Sequence, residues 1–107
     1  MLRIGQVLKV KPEKVDRYKE LHAAVWPDVK NMISECNIRN YSIFLRGGYL
    51  FAYFEYHGTD FRADMAKMAA DPVTQQWWDE CMPCQQPVDF ASEGEWWADM
   101  EEVFHQD

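Results

Sequence analysis

Two stretches rich in aromatic and β-branched residues, joined by a pair of glycines, constrain the fold of this chain most. Residues 37–45 and 49–56 have the composition of β-strands. Between them lie Arg46, Gly47 and Gly48. Glycine adopts positive φ angles without steric cost, and a tight hairpin turn requires such angles. The sequence therefore predicts an antiparallel hairpin at this point.

The second strand of this hairpin is apolar on both faces. One alternating set contains Tyr49, Phe51 and Tyr53, and the other contains Leu50, Ala52, Phe54 and Tyr56. Helices can cover only one face of such a sheet. The other face therefore predicts either a second sheet from another copy of the chain, in a homodimer, or the lining of a ligand pocket.

The residues before the hairpin predict a strand followed by a helix. Apolar residues alternate over residues 2–10, as in a half-buried strand. From Pro12 to about Cys36 they recur at steps of three and four, as on one face of a helix. Pro27 lies within this pattern. Because proline lacks a backbone N–H and crowds the preceding turn, we expect a kink or a restart there.

The residues after the hairpin predict two helices and a closing strand. The first helix extends over about residues 60–70. Asp71 and Pro72 are the expected N-cap and first residue of a shorter, tryptophan-rich helix. Residues 83–99 have no clear period, which in a small chain indicates a functional loop or one docked on a partner. We expect residues 100–105 to form the last strand.

This order of elements predicts an α+β fold. Strand, helix, strand, strand, helix, strand is the ferredoxin-like βαββαβ arrangement, an antiparallel sheet with helices on one face. A second copy packed on the open face would make a dimeric α/β barrel. At 107 residues the chain is long enough for one core and too short for two. We therefore expect a single domain over residues 1–107.

The charge of the chain argues against several partners. There are 11 Lys and Arg residues against 18 Asp and Glu residues, a formal charge of -7. Phosphate backbones and anionic lipids would repel such a protein, so neither nucleic acid nor membrane is an expected partner. The opening residues, MLRIGQVLKVKPEK, are too polar for a signal peptide, and three cysteines fit a reducing compartment. We expect a cytoplasmic protein.

Tyr18, His22 and Trp26 are spaced four residues apart, so a helix would place them in one column. The imidazole of His22 can give or take a proton near neutral pH, and the Tyr18 hydroxyl could hold a substrate hydroxyl or tune that imidazole. The alternative interpretation is a core histidine that is hydrogen-bonded to a neighbour. If the column converges with other aromatic residues, the cavity would suit a small carbohydrate.

Two cysteines separated by two residues, Cys81 and Cys84, suggest a redox dithiol or half of a zinc site. The pair ends a predicted helix, however, whereas such redox motifs begin one. A second close pair of ligands is also absent from the sequence, since His57 and His105 are distant. We expect no metal.

Several motifs together resemble the L-rhamnose mutarotase family. The resemblance rests on Tyr18 and His22, Trp26 with Pro27, Asn40 with Tyr41, Trp77 with Trp78, and the ending EEVFHQD. These motifs cover nearly the whole chain in order and spacing. The segment CMPCQQPVDFASEGEWWADM departs from the family, in which an Asn-Pro-Asp turn follows the tryptophan pair.

The resemblance implies a ferredoxin-like dimer with His22 as the proton donor and with Tyr18, Tyr41, Trp77 and Trp78 in contact with the sugar. Exchange of α and β anomers requires only proton transfers and ring opening, so no cofactor is expected. We predict a mutarotase acting on a free 6-deoxy-hexose, most simply L-rhamnose. The alternatives are L-fucose as substrate, a dimeric-barrel monooxygenase, or a sugar-binding module without catalysis.

Overall fold

An antiparallel sheet with helices on one face forms the fold, in a computed structural model that describes residues Met1–Asp107. The strands are β1 (Leu2–Val10), β2 (Ile38–Arg46), β3 (Tyr49–Tyr56), β4 (Gln85–Gln86) and β5 (Ala98–Met100). The helices are α1 (Val15–Ala23), α2 (Pro27–Glu35), α3 (Phe61–Ala69) and α4 (Pro72–Cys81), with short 3₁₀ turns at Pro12–Lys14 and Met82–Cys84. The predicted α+β, ferredoxin-like class is confirmed.

The sheet is built around the predicted hairpin. Its order is β2-β3-β1-β4, and β5 pairs with the same edge of β1 as β4 does. Gly47 and Gly48 connect β2 to β3 with φ angles of 59° and 82°. Two consecutive positive φ angles are what a two-residue turn needs to match the twist of its strands. The glycine pair therefore fixes the register of the hairpin.

Two short strands, β4 and β5, together form the edge of the sheet beside β1. β4 pairs with Lys9 and Val10, and β5 pairs with Gly5 to Val7. Residues 87–97, which we name the 87–97 loop, leave the sheet between these pieces and return to it. The prediction of a strand over residues 100–105 was wrong, because regular structure ends at Met100.

The physical reason for that early end lies in the side chains that follow. Glu102 is held beside Arg3 by an ion pair of 3.1 Å between side chains and not by a backbone ladder. Val103 and Phe104 are exposed and have no second layer to pack against in a single chain. Because these side chains are not buried on either face, a strand over residues 100–105 would have no packing to stabilise it.

Pro27 divides the long predicted helix into two. α1 ends at Ala23, and Trp26 adopts an extended conformation with φ -60° and ψ 134° before α2 begins at Pro27. Proline at the first helical position needs no N–H partner, and it disfavours helical geometry in the preceding residue. The break is therefore a restart, and it lets Trp26 turn independently of α1.

The core lies between the helices and one face of the sheet. Leu8 and Leu50, cross-strand partners on β1 and β3, are completely buried at its centre. On the other face, Phe44, Tyr49 and Phe51 are exposed, and Phe44 is 66% exposed. No helix has the length and apolar character that crossing a membrane requires.

Candidate active site

Rings from α1, α4 and the break between α1 and α2 meet above the sheet. Tyr18 and His22 lie one turn apart on α1, and their rings stack with centroids 4.1 Å apart. The ring of Trp77 meets that of His22 edge to face at a centroid distance of 5.4 Å. Trp26 meets Trp77 in the same way at 5.2 Å. The break at Pro27 thus leaves Trp26 in the aromatic group, although it no longer belongs to α1.

The hydrogen bond of His22 determines which nitrogen carries the proton. Its Nδ1 lies 2.9 Å from the backbone carbonyl oxygen of Tyr18. A carbonyl can only accept, so Nδ1 carries the hydrogen and Nε2 keeps a free lone pair. Burial lowers the pKa of His22 below 6.5, partly offset by this hydrogen bond. The imidazole is therefore neutral at pH 7, with Nε2 available as a base.

The hydroxyl of Tyr18 is buried and has no hydrogen-bond partner within the chain. Burial raises the pKa of Tyr18 far above that of a free phenol, and nearby Gln85 acts in the opposite direction. The phenol therefore keeps its proton and can act only as a neutral hydrogen-bond donor or acceptor. A buried polar atom without a partner is uncommon and calls for a ligand, a water or a functional explanation.

An extra residue in β2 places Tyr41 on the helix face. Arg39 pairs with Glu55 but Ser42 pairs with Tyr53, so β2 contains one more residue than β3 between these pairs. Asn40 provides the bulge with a φ angle of 52°, a conformation that asparagine tolerates. The ring of Tyr41 consequently lies 5.4 Å from that of Phe54.

Burial raises the pKa of Tyr41 to about 12, with Cys81 adding to the shift, although 39% of the residue is exposed. No hydrogen bond within the chain uses this hydroxyl. Tyr41 and Tyr18 lie close enough for their charges to interact, since Tyr41 contributes to the raised pKa of Tyr18. Two neutral phenols without partners thus lie in the same region of the helix face.

A cavity of about 310 Å³ lies between α1 and the hairpin. It is lined by Tyr18, Lys19, His22, Ala23, Ile43, Leu45 and Leu50. This volume is at the low end of the range for small-molecule sites, roughly 300–1,000 Å³. Sequence reasoning missed Lys19, although its place three residues before His22 on a helix could have indicated it. Another cavity, of about 260 Å³, is lined by residues that include Arg3 and Asp99 and contains no predicted site residue.

The structure brings together most of the predicted site residues but separates the two tryptophans. Tyr18 and His22 line the cavity, and Tyr41 lies two residues before Ile43 on β2. Trp77 contacts His22 and is 6% exposed, whereas Trp78 is 37% exposed and makes no ring contact with His22. Consecutive helical residues point about 100° apart, which accounts for the difference.

The cysteines are buried and unpaired. Cys81 ends α4 and Cys84 follows in a 3₁₀ turn, and neither forms a disulfide. Burial raises the pKa of Cys81 to about 12, so its thiolate is scarce at neutral pH. No group of three or more His, Cys, Asp and Glu side chains is arranged to hold a metal ion.

Comparison with known proteins places this geometry in a family. The family described as L-rhamnose mutarotase matches residues 3–106. The L-rhamnose mutarotase of Shouchella clausii is 34% identical over 107 residues, with 98% of each chain covered. That of Bacillus subtilis is 32% identical over 110 residues, with 100% of each chain covered.

Solved structures agree in fold. The crystal structure of an L-rhamnose mutarotase from Formosa agariphila superposes with a TM-score of 0.78, at 23% identity and with complete coverage of both chains. Tetracenomycin F2 cyclase from Streptomyces glaucescens has the same fold, with a TM-score of 0.70, 15% identity and complete coverage. On the sequence matches above, this chain belongs to the L-rhamnose mutarotase family.

Proposed function

We propose that this protein is an isomerase that interconverts the α and β anomers of a free 6-deoxy-hexose, with L-rhamnose as the first candidate substrate. The curated relatives are L-rhamnose mutarotases and align over essentially the whole chain. The observation that carries the proposal is the state of His22, a neutral imidazole whose free Nε2 belongs to a residue lining a cavity of about 310 Å³.

The reaction needs little more than a positioned base. Nε2 of His22 takes the proton from the anomeric hydroxyl as the bond between C1 and the ring oxygen breaks, and the imidazolium formed in this way then donates that proton to the ring oxygen, directly or through a water. Rotation about C1–C2 of the open aldehyde and closure in reverse give the other anomer. Positioned acid-base groups contribute roughly 10²- to 10⁴-fold, which suffices for a reaction that already proceeds slowly in water.

The other predicted residues would bind the sugar. Tyr18 and Tyr41 supply phenol hydroxyls that lack partners within the chain and remain protonated. Trp77 packs against His22 and would provide an apolar wall beside the imidazole. Trp78 presents a partly exposed indole that could receive the methyl group or C–H face of the sugar.

We further propose that residues 1–107 act as one mutarotase domain in a cytoplasmic homodimer. The family match over residues 3–106 supports the single domain. The exposed rings of Phe44, Tyr49 and Phe51 on the open sheet face support a second copy, since a large apolar patch of this kind marks an interaction surface. The odd number of cysteines, three, fits a reducing compartment.

The decisive test of the proposed function is removal of the imidazole. His22→Ala should lose the acceleration of anomer exchange, by roughly 10²-fold or more, because the proton acceptor is gone. Saturation-transfer NMR on L-rhamnose measures the exchange rate, and circular dichroism checks that the fold is retained. His57→Ala is the matched control, since His57 lies beyond β3 and outside the cavity. Wild-type rates in a folded His22→Ala protein would refute the role.

A panel of sugars separates the remaining possibilities. Exchange rates for L-rhamnose, L-fucose and common D-sugars would identify the preferred substrate. Calorimetric binding of L-rhamnose without faster exchange would instead indicate a binding module. Turnover that depends on oxygen would indicate a monooxygenase of the same fold.

A further inference from the structure

Lys19 is the one charged residue among those that line the cavity between α1 and the hairpin. Burial raises the pKa of Tyr18 and lowers that of His22, so the phenol and the imidazole are both neutral at pH 7. A lysine side chain ends in an ammonium group with three N–H donors and no acceptor. The other lining residues are aliphatic, namely Ala23, Ile43, Leu45 and Leu50. The cavity therefore has one cationic hydrogen-bond donor in an otherwise uncharged lining.

The ammonium group of Lys19 has no partner within the chain. No ion pair and no side-chain hydrogen bond involves it, although the chain has more acidic than basic residues. Arg17, two residues earlier on α1, pairs with Glu20 at 2.7 Å and with Glu80 at 3.1 Å. Asp16 lies three residues before Lys19, a spacing at which opposite charges on a helix can pair, and still forms no ion pair with it. The N–H donors of Lys19 are therefore available to a ligand.

The three polar residues of the cavity differ in depth. Tyr18 is 4% exposed, His22 is partly buried and Lys19 is exposed. Residues three apart on a helix are neighbours on its surface, so Lys19 lies next to His22. Tyr18 is thus at the floor of the cavity, His22 is above it, and Lys19 is at the mouth. A sugar that places its anomeric hydroxyl against the imidazole meets Lys19 on the solvent side of that contact.

We propose that Lys19 is a catalytic residue whose ammonium group donates a hydrogen bond to the ring oxygen of the bound sugar. This inference rests on the proposed mutarotase function. When the bond between C1 and the ring oxygen breaks, its electron pair moves to the ring oxygen, which carries negative charge until the imidazolium of His22 delivers the proton. Lys19 stabilises that charge and keeps all of its own protons, so the proton balance between His22 and the sugar is unchanged.

The uncharged lining makes this contribution larger. Ile43, Leu45 and Leu50 keep water from one side of the cavity, and a fixed charge next to such a surface acts more strongly than it does in water. The ring oxygen of the bound sugar is neutral before the ring opens. Lys19 therefore stabilises the transition state more than the bound substrate, and its contribution should be found in kcat and not in KM.

Lys19→Met tests the role of the charge, because methionine keeps a long side chain and a good helix propensity but lacks the ammonium group. We expect kcat for L-rhamnose to fall about tenfold or more, with KM within about twofold of the wild-type value. Saturation-transfer NMR over a series of sugar concentrations measures both constants, and circular dichroism checks the fold. Lys30→Met is the matched control, since Lys30 is an exposed lysine on α2 outside the cavity, and its constants should stay within about twofold of the wild type.

Two further variants separate the effect of charge from damage to the helix. Lys19→Arg keeps a cation at the same position and should retain most of the wild-type kcat. Lys19→Glu puts a negative charge beside the ring oxygen and should lower kcat further than Lys19→Met does. A purely structural role would not follow the sign of the charge. A folded Lys19→Met protein with the wild-type kcat would overturn the inference and leave the proposed function standing.

A binding measurement without turnover keeps the inference distinct from the proposed function. An analogue of L-rhamnose that lacks the anomeric hydroxyl cannot open its ring but keeps the ring oxygen. It should shift the NMR signal of the Lys19 methylene group next to the amine, and the carbocyclic analogue, with a methylene group in place of the ring oxygen, should shift it less. Equal shifts with both analogues would refute the contact. If the shifts differ as expected but the wild-type protein does not accelerate anomer exchange, the contact stands and the proposed function fails.

Discussion

At the scale of the residue, two local effects on His22 favour the same protonation state. The hydrogen bond to the Tyr18 carbonyl places the proton on Nδ1 and leaves Nε2 free. Burial disfavours the imidazolium and lowers the pKa below 6.5. A histidine in this setting accepts a proton first at physiological pH, and it can donate one, as the family resemblance implies for His22, only afterwards.

The lowered pKa predicts where activity is lost in acid. The base form of His22 is needed for the first proton transfer, so kcat/KM should rise with pH around a midpoint at the lowered pKa of His22, below 6.5. An NMR titration of the His22 ring should give the same midpoint as this limb. A limb centred above pH 6.5 would contradict the assignment of His22 as the base.

The same shift has a consequence for stability, with a definite sign. Between the lowered pKa of the folded state and 6.5, the unfolded chain binds more protons at His22 than the folded chain does. The contribution of His22 to the free energy of unfolding therefore falls as the pH drops from 6.5 through the folded pKa. Activity and stability should decline together on the acid side.

The site residues differ in how far the sequence could predict them. Tyr18 and His22 follow from the four-residue spacing on a helix, which is a local rule. Lys19, three residues before His22, could have been found by the same rule, although only the packing of α1 against the hairpin shows that it lines the cavity. Trp78 is next to Trp77 in the sequence, but consecutive residues of a helix point in different directions, and only the ring of Trp77 contacts that of His22.

At the scale of the element, the turn between β2 and β3 is the most local determinant of the fold. A Cβ added at Gly47 would meet no heavy atom within 4 Å, so only backbone strain opposes a side chain there. Gly47→Ala should lower the free energy of unfolding by about 1–2 kcal/mol, because an L-residue is strained at this positive φ.

Gly47→Asn provides the control for this prediction, since asparagine tolerates the left-handed conformation better than alanine does. Urea denaturation of the three proteins measures the differences. Equal midpoints for the alanine and asparagine variants would show that φ is not the source of the cost.

Features that depend on a few adjacent residues could be predicted from the sequence. Features that depend on the pairing of one strand with another could not. The N-cap at Asp71, whose side chain accepts from the backbone N–H of Thr74 at 2.9 Å, and the break at Pro27 both follow from a few adjacent residues. The bulge at Asn40 and the early end of β5 at Met100 depend on what lies across the sheet. The alternation of apolar and polar residues in the sequence could not reveal the bulge or the end of β5.

At the scale of the whole molecule, the sheet has one covered face and one open face. The covered face holds the core and the candidate site, and the open face carries Phe44, Tyr49 and Phe51. The pattern of β3 predicted this division, because both of its faces are apolar. What the pattern left open was whether a second sheet or a ligand covers the outer face.

A charge on the open face should weaken self-association. Burying an unpaired carboxylate is strongly unfavourable, so Phe44→Asp should raise the dissociation constant of the proposed dimer by about tenfold or more. Sedimentation over a concentration series measures it. Met82→Asp is the control, since Met82 is an exposed apolar residue in the 3₁₀ turn that follows α4. Equal dissociation constants for wild type and Phe44→Asp would place the dimer contact elsewhere.

Two short strands, β4 and β5, share one edge of the sheet, so the backbone pairing at that edge is separate from the loop that connects them. Because β4 and β5 each pair with β1 through their own backbone ladder, strand pairing does not fix the composition of the segment between them, but Val88 in that segment is buried against Val7. Exchange of residues 87–97 between relatives would therefore have to keep the packing of Val88, Trp96 and Trp97 against the core. The exposed positions of this loop can therefore change without disturbing the pairing of β4 and β5 with β1.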